Sequence, residues 1–453
     1  WCSYMPKGYI GQFLRVDLTK GRITKEKLDE RIALNYLGGV GIGSYILYKE
    51  VPASIGPLDS NNKLIFFTGP LTGTRVPTGR YVVVAKSPLT GILGWASSAG
   101  HWGPELKYAG YDGIVIEGTA ENPVYLWIND GFVEIRSAKH LWGATTGETE
   151  RRIRKEIRDE EIKVASIGPA GEKLVRYACI INDKGRAAGR CGLGAVMGSK
   201  KLKAIAVRGT GSVTVAKIDE LIKLIRKVYE RWKPEPFAKS LSIYGTPCVT
   251  TFTSGIAAFP TRNFQTGFFT DWEKISGPAL AKTMQISRSG CFGCLIGCGR
   301  VSRIKSGPYK GQELEGPEYE HINTFGSRCG NSNLESIAMC HHLVNEYGID
   351  GVSCGATIAF AMECYENGFI DKKDTGGLEL GFGNHEAMVK MVEKIGLRQE
   401  VGDILAEGVK RAAERIGQGP EEFATHIKAL EMTGYDVRGL KTCAMGYAVS
   451  RRG

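Results

Sequence analysis

Up to about residue 210 the chain alternates apolar and polar positions in short runs, the period of β-strands. Residues 10–18 are apolar and β-branched, and Thr19-Lys20-Gly21 turns them back towards Ile23. Further short strands are predicted at 63–68, 81–85, 113–117, 124–128 and 203–207. Asn129-Asp130-Gly131 joins the run at 124–128 to one at 132–135 as a hairpin. Two helices interrupt the series. One follows the glycine loop Gly38-Gly39-Val40-Gly41-Ile42-Gly43, and the other covers 148–158, where Ile153 and Ile157 share a face. The glycine loop lacks G-x-G-x-x-G spacing and an acidic strand end about 20 residues on, which argues against a dinucleotide fold.

Beyond 210 the apolar period lengthens to that of a helix. Leu221, Ile222, Ile225, Val228 and Tyr229 recur just after Asp219, and Pro234 and Pro236 end that helix. A loop-rich stretch at 240–330 precedes predicted helices at 333–347, 355–367, 385–396 and 402–416. Linkers are expected near 210–217 and 417–424. The pattern predicts an α+β protein: a β-rich domain over 1–210, a mostly helical one over 211–420, and the start of a third, truncated helical domain over 421–453.

Composition changes this picture in three ways. The 453 residues exceed one core, and no apolar run approaches a membrane span. Lys and Arg outnumber Asp and Glu by 59 to 48, a net charge of +11, without a run of five like charges or a nucleic-acid fold signature. Phosphate-bearing ligands and an acidic electron carrier are therefore favoured over nucleic acid. Twelve cysteines without regular pairing point to a reducing, cytoplasmic setting. The chain begins at Trp1 rather than Met and stops inside Ser450-Arg451-Arg452-Gly453, so further sequence is expected at both ends.

The sharpest chemical signal is Cys291-Phe292-Gly293-Cys294-Leu295-Ile296-Gly297-Cys298. Three thiols at C-x2-C-x3-C spacing among glycines suit one soft metal centre, an iron–sulfur cluster first. A zinc site and three buried thiols are the competing readings, and a fourth ligand has to come from elsewhere. The second signal is Asp183-Lys184-Gly185-Arg186-Ala187-Ala188-Gly189-Arg190, two arginines four apart among small residues. Guanidinium forks grip phosphate oxygens, and glycines allow close backbone approach; a mobile basic loop is the alternative. The stretches 68–80, ending at Arg80, and 96–103, containing Ser97 and Ala99, also set polar groups among small residues. Each alone reads as an ordinary loop; together they can converge on one large anionic cofactor. Glu315-Gly316-Pro317-Glu318-Tyr319-Glu320-His321 offers carboxylates for proton transfer, or an exposed acidic turn. His321, His341 and His342 are candidate metal ligands by residue type only.

The chain resembles the tungsten-containing aldehyde:ferredoxin oxidoreductases from about residue 8 to its end. The resemblance is strongest at 69–74, Glu105-Leu106-Lys107-Tyr108-Ala109-Gly110-Tyr111-Asp112, 186–203, the cysteine loop and 315–320. It implies a sheet domain cradling two pterin-dithiolenes around tungsten (or molybdenum), Mg2+ bridging the pterin phosphates, and a [4Fe-4S] cluster passing electrons to ferredoxin or a ferredoxin-like subunit. It implies oxidation of a small aldehyde with water to the carboxylic acid, and a homodimer or a complex with an electron-transfer subunit. Carried over residue by residue, Arg80, Arg186, Ala187, Gly189 and Arg190 fall on pterin-phosphate and magnesium positions. Cys291, Cys294 and Cys298 fall on cluster ligands. Gly348, Ile349 and Asp350 fall on the pterin motif of the second domain, Glu320 on a proton-moving glutamate beside the metal, and Arg452 on a pterin-side position. The departures are Ser97 for a magnesium-contacting asparagine, Ala99 for glycine, Asn345 for the first aspartate of D-x-x-G-L-D, Val437 for proline, Arg451 for a small polar residue, and Met339 for the glutamate of a bridging iron. The same fold also serves aryl-CoA reductases, and a non-catalytic electron-relay scaffold is a third reading.

Overall fold

The computed structural model describes residues 5–453, so Trp1 lies outside them. They divide into two compact units. The first takes residues up to 174, 178–234 and 290–295; the second takes 175–177, 235–289 and 296–453.

The first unit holds two six-stranded mixed sheets. One contains β1 (Gln12–Asp17), β2 (Arg22–Lys27), β3 (Leu64–Thr68), β4 (Tyr81–Lys86), β5 (Leu93–Ser98) and β6 (Gly113–Glu117), in the order β2-β1-β6-β3-β4-β5. The other contains β7 (Val124–Asn129), β8 (Phe132–Ser137), β9 (Lys163–Ser166), β10 (Ile180–Asn182), β11 (Arg186–Ala188) and β12 (Leu202–Arg208), in the order β11-β10-β9-β12-β7-β8. The pairs β1–β6 and β7–β12 are parallel and the rest antiparallel. Both predicted hairpins form, β1–β2 and β7–β8. Burial explains the order: β3 (LIFFT) is buried at every position and sits inside its sheet, whereas the polar β2 lies at an edge.

The expected glycine loop is instead the first turn of a helix, Gly39–Glu50. Ile42, Ile46 and Leu47 on that helix pack against Ile65, Phe67 and Val84 of the sheet. A side chain at Gly43 would collide with Val84, so the glycines serve close helix–sheet packing.

The second unit is mostly helical, with a small antiparallel sheet of β13 (Gln285–Ser289), β14 (Gly299–Arg303) and β15 (Glu313–Glu315). Its helices include Leu334–Tyr347, Gly351–Glu366 and His385–Leu397. The second starts four residues earlier than the pattern predicts, because Asp350 caps it by accepting from the Val352 N–H at 3.2 Å. The predicted helix at 402–416 is two helices, Val401–Leu405 and Val409–Ile416. Gly408 separates them at φ 85°, a backbone region that favours glycine. Residues 175–177 belong here because Tyr177 Oη donates to Leu405 O at 2.9 Å and Tyr177 O accepts from Asp350 N–H at 3.0 Å. Among the described residues no helix is long and apolar enough to cross a membrane.

Candidate cofactor and redox site

In the first unit the three glycine- and arginine-bearing stretches meet. The edge strands β5 and β11 of the two sheets lie against each other, and the short turn Arg190–Gly192 also packs on β5. Asn182, at the end of β10, ties the junction. Its Oδ1 accepts from Tyr81 Oη at 2.9 Å and Ser98 Oγ at 2.6 Å, and its Nδ2 donates to Ala99 O at 2.9 Å. Asp183 continues the link by accepting from the His101 N–H at 2.7 Å. Gly100 sits at φ 87°, where a Cβ would overlap Asp183 Oδ2, so this contact demands glycine. Asn182 has 1 % of its surface exposed.

Around this knot lie the predicted anion-binding groups. Arg80, exposed beside β4, donates from Nη1 to Ser97 Oγ on β5 at 2.9 Å. Ser97 and Ala99 are half-buried, as are Arg186, Ala187, Gly189 and Arg190 on the facing segment. The donor set fits a group bearing phosphates: three guanidinium side chains and a hydroxyl bracket a junction of small residues. The stretch 105–112 has a different role. Lys107, 1 % exposed, pairs with Asp112 at 2.8 Å and donates to Gly8 O at 2.6 Å, while Asp112 accepts from Ile10 and Gly11 N–H. Desolvation lowers the Lys107 pKa and Asp112 opposes it. This network anchors the chain ahead of β1, and Lys107 Nζ also donates to Gly69 O at 3.4 Å at the head of the 68–80 stretch.

The cysteine loop is the connection between β13 and β14, whose Ser289 and Gly299 are paired. Cys291 and Cys294 count with the first unit, and the Cys294 N–H donates to Cys291 O at 3.0 Å. There the Phe292 N–H donates to Gly100 O at 3.1 Å, fixing this loop on the stretch that carries Ala99. Cys298 counts with the second unit. Beside it Arg300, 1 % exposed, donates to Gly297 O at 3.2 Å, Leu241 O at 2.7 Å and Ser242 O at 2.9 Å. Burial pulls the Arg300 guanidinium pKa down, and Cys298 acts in the opposite direction. Among the described residues no three His, Cys, Asp or Glu side chains close on a single metal ion. The three half-buried thiols suit a cluster, which spreads its ligands over several irons.

In the second unit Glu320 lies in the helix Tyr319–Thr324 and accepts from the Gly434 N–H at 2.8 Å. Tyr319, Tyr435 and Tyr447 surround it; burial raises all three phenol pKa values and the Glu320 charge raises them further. The next residue, His321, meets His341 ring to ring through their Nδ1 atoms, and His341 Nε2 donates to Glu315 O. Asn345 Nδ2 lies 3.1 Å from His341 Nε2. Of the three histidines read as metal ligands by type, His321 and His341 thus bond each other. Asn345, Gly348, Ile349 and Asp350 form the buried junction of two helices, with Gly348 as C-cap and Asp350 as N-cap. Arg452 follows the helix Lys441–Val449, its N–H donating to Ser450 Oγ at 3.4 Å. Sequence reasoning missed Asn182 and Tyr447, and it gave Arg300, Tyr319 and Tyr435 no role of their own. Each depends on partners distant along the chain, and none carries a local signal.

Two family descriptions and several known proteins match this chain. Residues 13–209 match the family described as aldehyde ferredoxin oxidoreductase, N-terminal domain, and residues 223–453 match aldehyde ferredoxin oxidoreductase, domains 2 and 3. A tungsten-containing aldehyde ferredoxin oxidoreductase of Pyrococcus abyssi is 47% identical, over 98% of this chain and 73% of that protein. The WOR-like subunit of an aliphatic sulfonate oxidoreductase of Pyrococcus furiosus is 35% identical, over 98% of this chain and 74% of that protein. The active-site complex BamBC of benzoyl coenzyme A reductase, solved with 1,5-dienoyl-CoA, matches with a TM-score of 0.84 at 34% identity, covering 95% of this chain and 67% of that chain. These matches define an oxidoreductase. The chain belongs to the aldehyde ferredoxin oxidoreductase family.

Proposed function

We propose that this chain oxidises an aldehyde with water to the carboxylic acid at a tungsten (or molybdenum) bis-pterin centre and sends the electrons out through a [4Fe-4S] cluster to ferredoxin or a ferredoxin-like subunit. The observation that carries the reading is the junction of β5 and β11, where Asn182 draws three predicted anion-binding stretches together. Arg80, Arg186 and Arg190 would hold the pterin phosphates, with Mg2+ near Ser97, Ala99, Ala187 and Gly189. Asn345, Gly348, Ile349, Asp350 and Arg452 would face a pterin, and Cys291, Cys294 and Cys298 would hold the cluster. Residues 421–453 open a third domain, and a homodimer or a two-subunit complex is the expected assembly in a reducing cytoplasm.

The bound metal would supply a two-electron acceptor beside an iron–sulfur relay that carries one electron at a time. The chain's own part is proton handling. Aldehyde plus water gives carboxylic acid, two protons and two electrons, and a base has to take the proton released as the C–O bond forms. Glu320 is that base, its Oε2 fixed by the Gly434 N–H. The three tyrosines near it stay protonated, so they add no second negative charge beside the carboxylate.

The test is anaerobic turnover of the full-length holoenzyme with an aldehyde and benzyl viologen. Carboxylate should form with two viologens reduced for each. The structural likeness at TM-score 0.84 favours a second reading, reduction of an aryl-CoA ring. A dienoyl-CoA product in place of carboxylate would select it.

A further inference from the structure

The helix Ile218–Trp232 buries none of its residues. Ile218, Ile222, Ile225, Tyr229 and Trp232 recur at intervals of four and three, which aligns them in one stripe along the helix. Ile218, Tyr229 and Trp232 are 47 %, 43 % and 43 % exposed. Ile222, Ile225 and Arg226 line a cavity of about 540 Å³ whose other walls are Arg75, Phe292 and Gly293, all in the first unit. Phe292 and Gly293 are the two residues between Cys291 and Cys294. Consecutive Cα atoms stand about 3.8 Å apart, so anything seated there lies one residue from a thiol-bearing backbone. Phe292 is held edge-on by Tyr108 and His101.

We propose that this stripe and cavity are the docking surface for an acidic protein that carries its own redox centre. The inference rests on the electron-relay reading of the cysteine loop. Charge selects the occupant. Arg75 and Arg226 flank the cavity, and residues 217–233 carry six basic side chains against three acidic ones within a chain of net +11. An apolar centre with aromatic and arginine anchors inside a basic rim is the make-up of a protein interface. A carrier with an acidic face would be steered to it from a distance, and its redox centre would be set down over the loop that holds two of the thiols. A second copy of this chain seated through the same helix would bring a like-charged rim against this one.

The test compares the wild-type holoenzyme with Arg226→Glu and Trp232→Ala, both on exposed positions away from the cofactor cradle. Calorimetric titration with a small acidic ferredoxin at low ionic strength should give a Kd at least tenfold weaker in Arg226→Glu, and wild-type binding should weaken steeply with salt. Trp232→Ala should weaken binding with no change in its salt dependence. Viologen-linked aldehyde oxidation should stay unchanged in both variants. Equal Kd values for wild type and Arg226→Glu would overturn the proposal. So would sedimentation showing that Trp232→Ala splits a dimer while ferredoxin affinity holds, which would assign the stripe to a second copy. Absence of viologen-linked turnover in the wild type would count against the catalytic reading and leave the binding comparison to decide this one.

Discussion

Arg80 Nη1 donates to Ser97 Oγ across 2.9 Å, joining the end of one proposed anion-binding stretch to β5 of the next. The serine stands where the resemblance expects an asparagine, so the hydroxyl serves the arginine directly. Charge-assisted bonds to phosphate are about twice as strong as neutral ones. Arg80→Ala should therefore lower cofactor retention by about tenfold, at roughly 1.4 kcal/mol per decade. Ser97→Ala, which removes a neutral partner, should cost about threefold or less. Metal content after exhaustive dialysis distinguishes them; equal retention in both variants would remove Arg80 from the cradle.

Asn182 is the node of the junction, with four hydrogen bonds and almost no exposed surface. Asn182→Leu removes the acceptor of the buried Tyr81 and Ser98 hydroxyls and the donor to Ala99 O. Stranding buried polar groups costs about 1–3 kcal/mol each. A loss of roughly 3 kcal/mol in urea unfolding is expected, with cofactor retention falling alongside. A variant as stable as wild type would mean that the three stretches meet without it.

The imidazole of His321 is pulled down to about 4 from its ordinary 6.5 by loss of hydration, with Asp350 opposing. Above pH 6.5 the ring is neutral in both folded and unfolded chains. Between 6.5 and 4 the unfolded chain takes up a proton that the fold refuses, so stability falls as pH falls. The loss is complete below about 4 and amounts to on the order of 3 kcal/mol. Urea midpoints between pH 7 and 4 should fall more steeply in wild type than in His321→Asn. Parallel pH profiles would contradict this.

Thiol chemistry separates the cysteines. Cys329, Cys340 and Cys354 are fully buried, and burial pushes Cys329 up to about 12 and the other two well above the ordinary range. Cys291, Cys294 and Cys298 are half-buried. Iodoacetamide on cluster-free folded protein should label the loop cysteines and spare the three buried ones, read by peptide mass spectrometry. Labelling of Cys340 before Cys291 would invert the assignment.

Much of this was legible in the chain, for local reasons. The β1–β2 and β7–β8 hairpins follow from turn residues between alternating runs, and Asp130 does take a positive φ of 48° at its turn. β5 was hidden because Leu-Gly-Trp-Ala-Ser-Ser has neither alternation nor β-branched residues. β13 and β14 were hidden by polar sequences, QISRS and GRVSR; pairing holds β13, while β14 buries the polar Arg300 and Ser302. The break at Gly408 was masked because apolar spacing continues on both sides of it. Among site residues, motif spacing reveals arginines and cysteines. Asn182 is invisible to it, since its partners Tyr81 and Ser98 lie 101 and 84 positions away.

The central claim is that a basic junction between two sheets holds a phosphate-bearing metal carrier that works with an iron–sulfur loop. Elemental analysis of freshly prepared, anaerobic, full-length protein tests it most directly. The account predicts roughly one tungsten or molybdenum together with roughly four irons per chain, the first lost and the second kept in the double variant Arg186→Ala, Arg190→Ala. Iron with neither tungsten nor molybdenum in the wild type would contradict it.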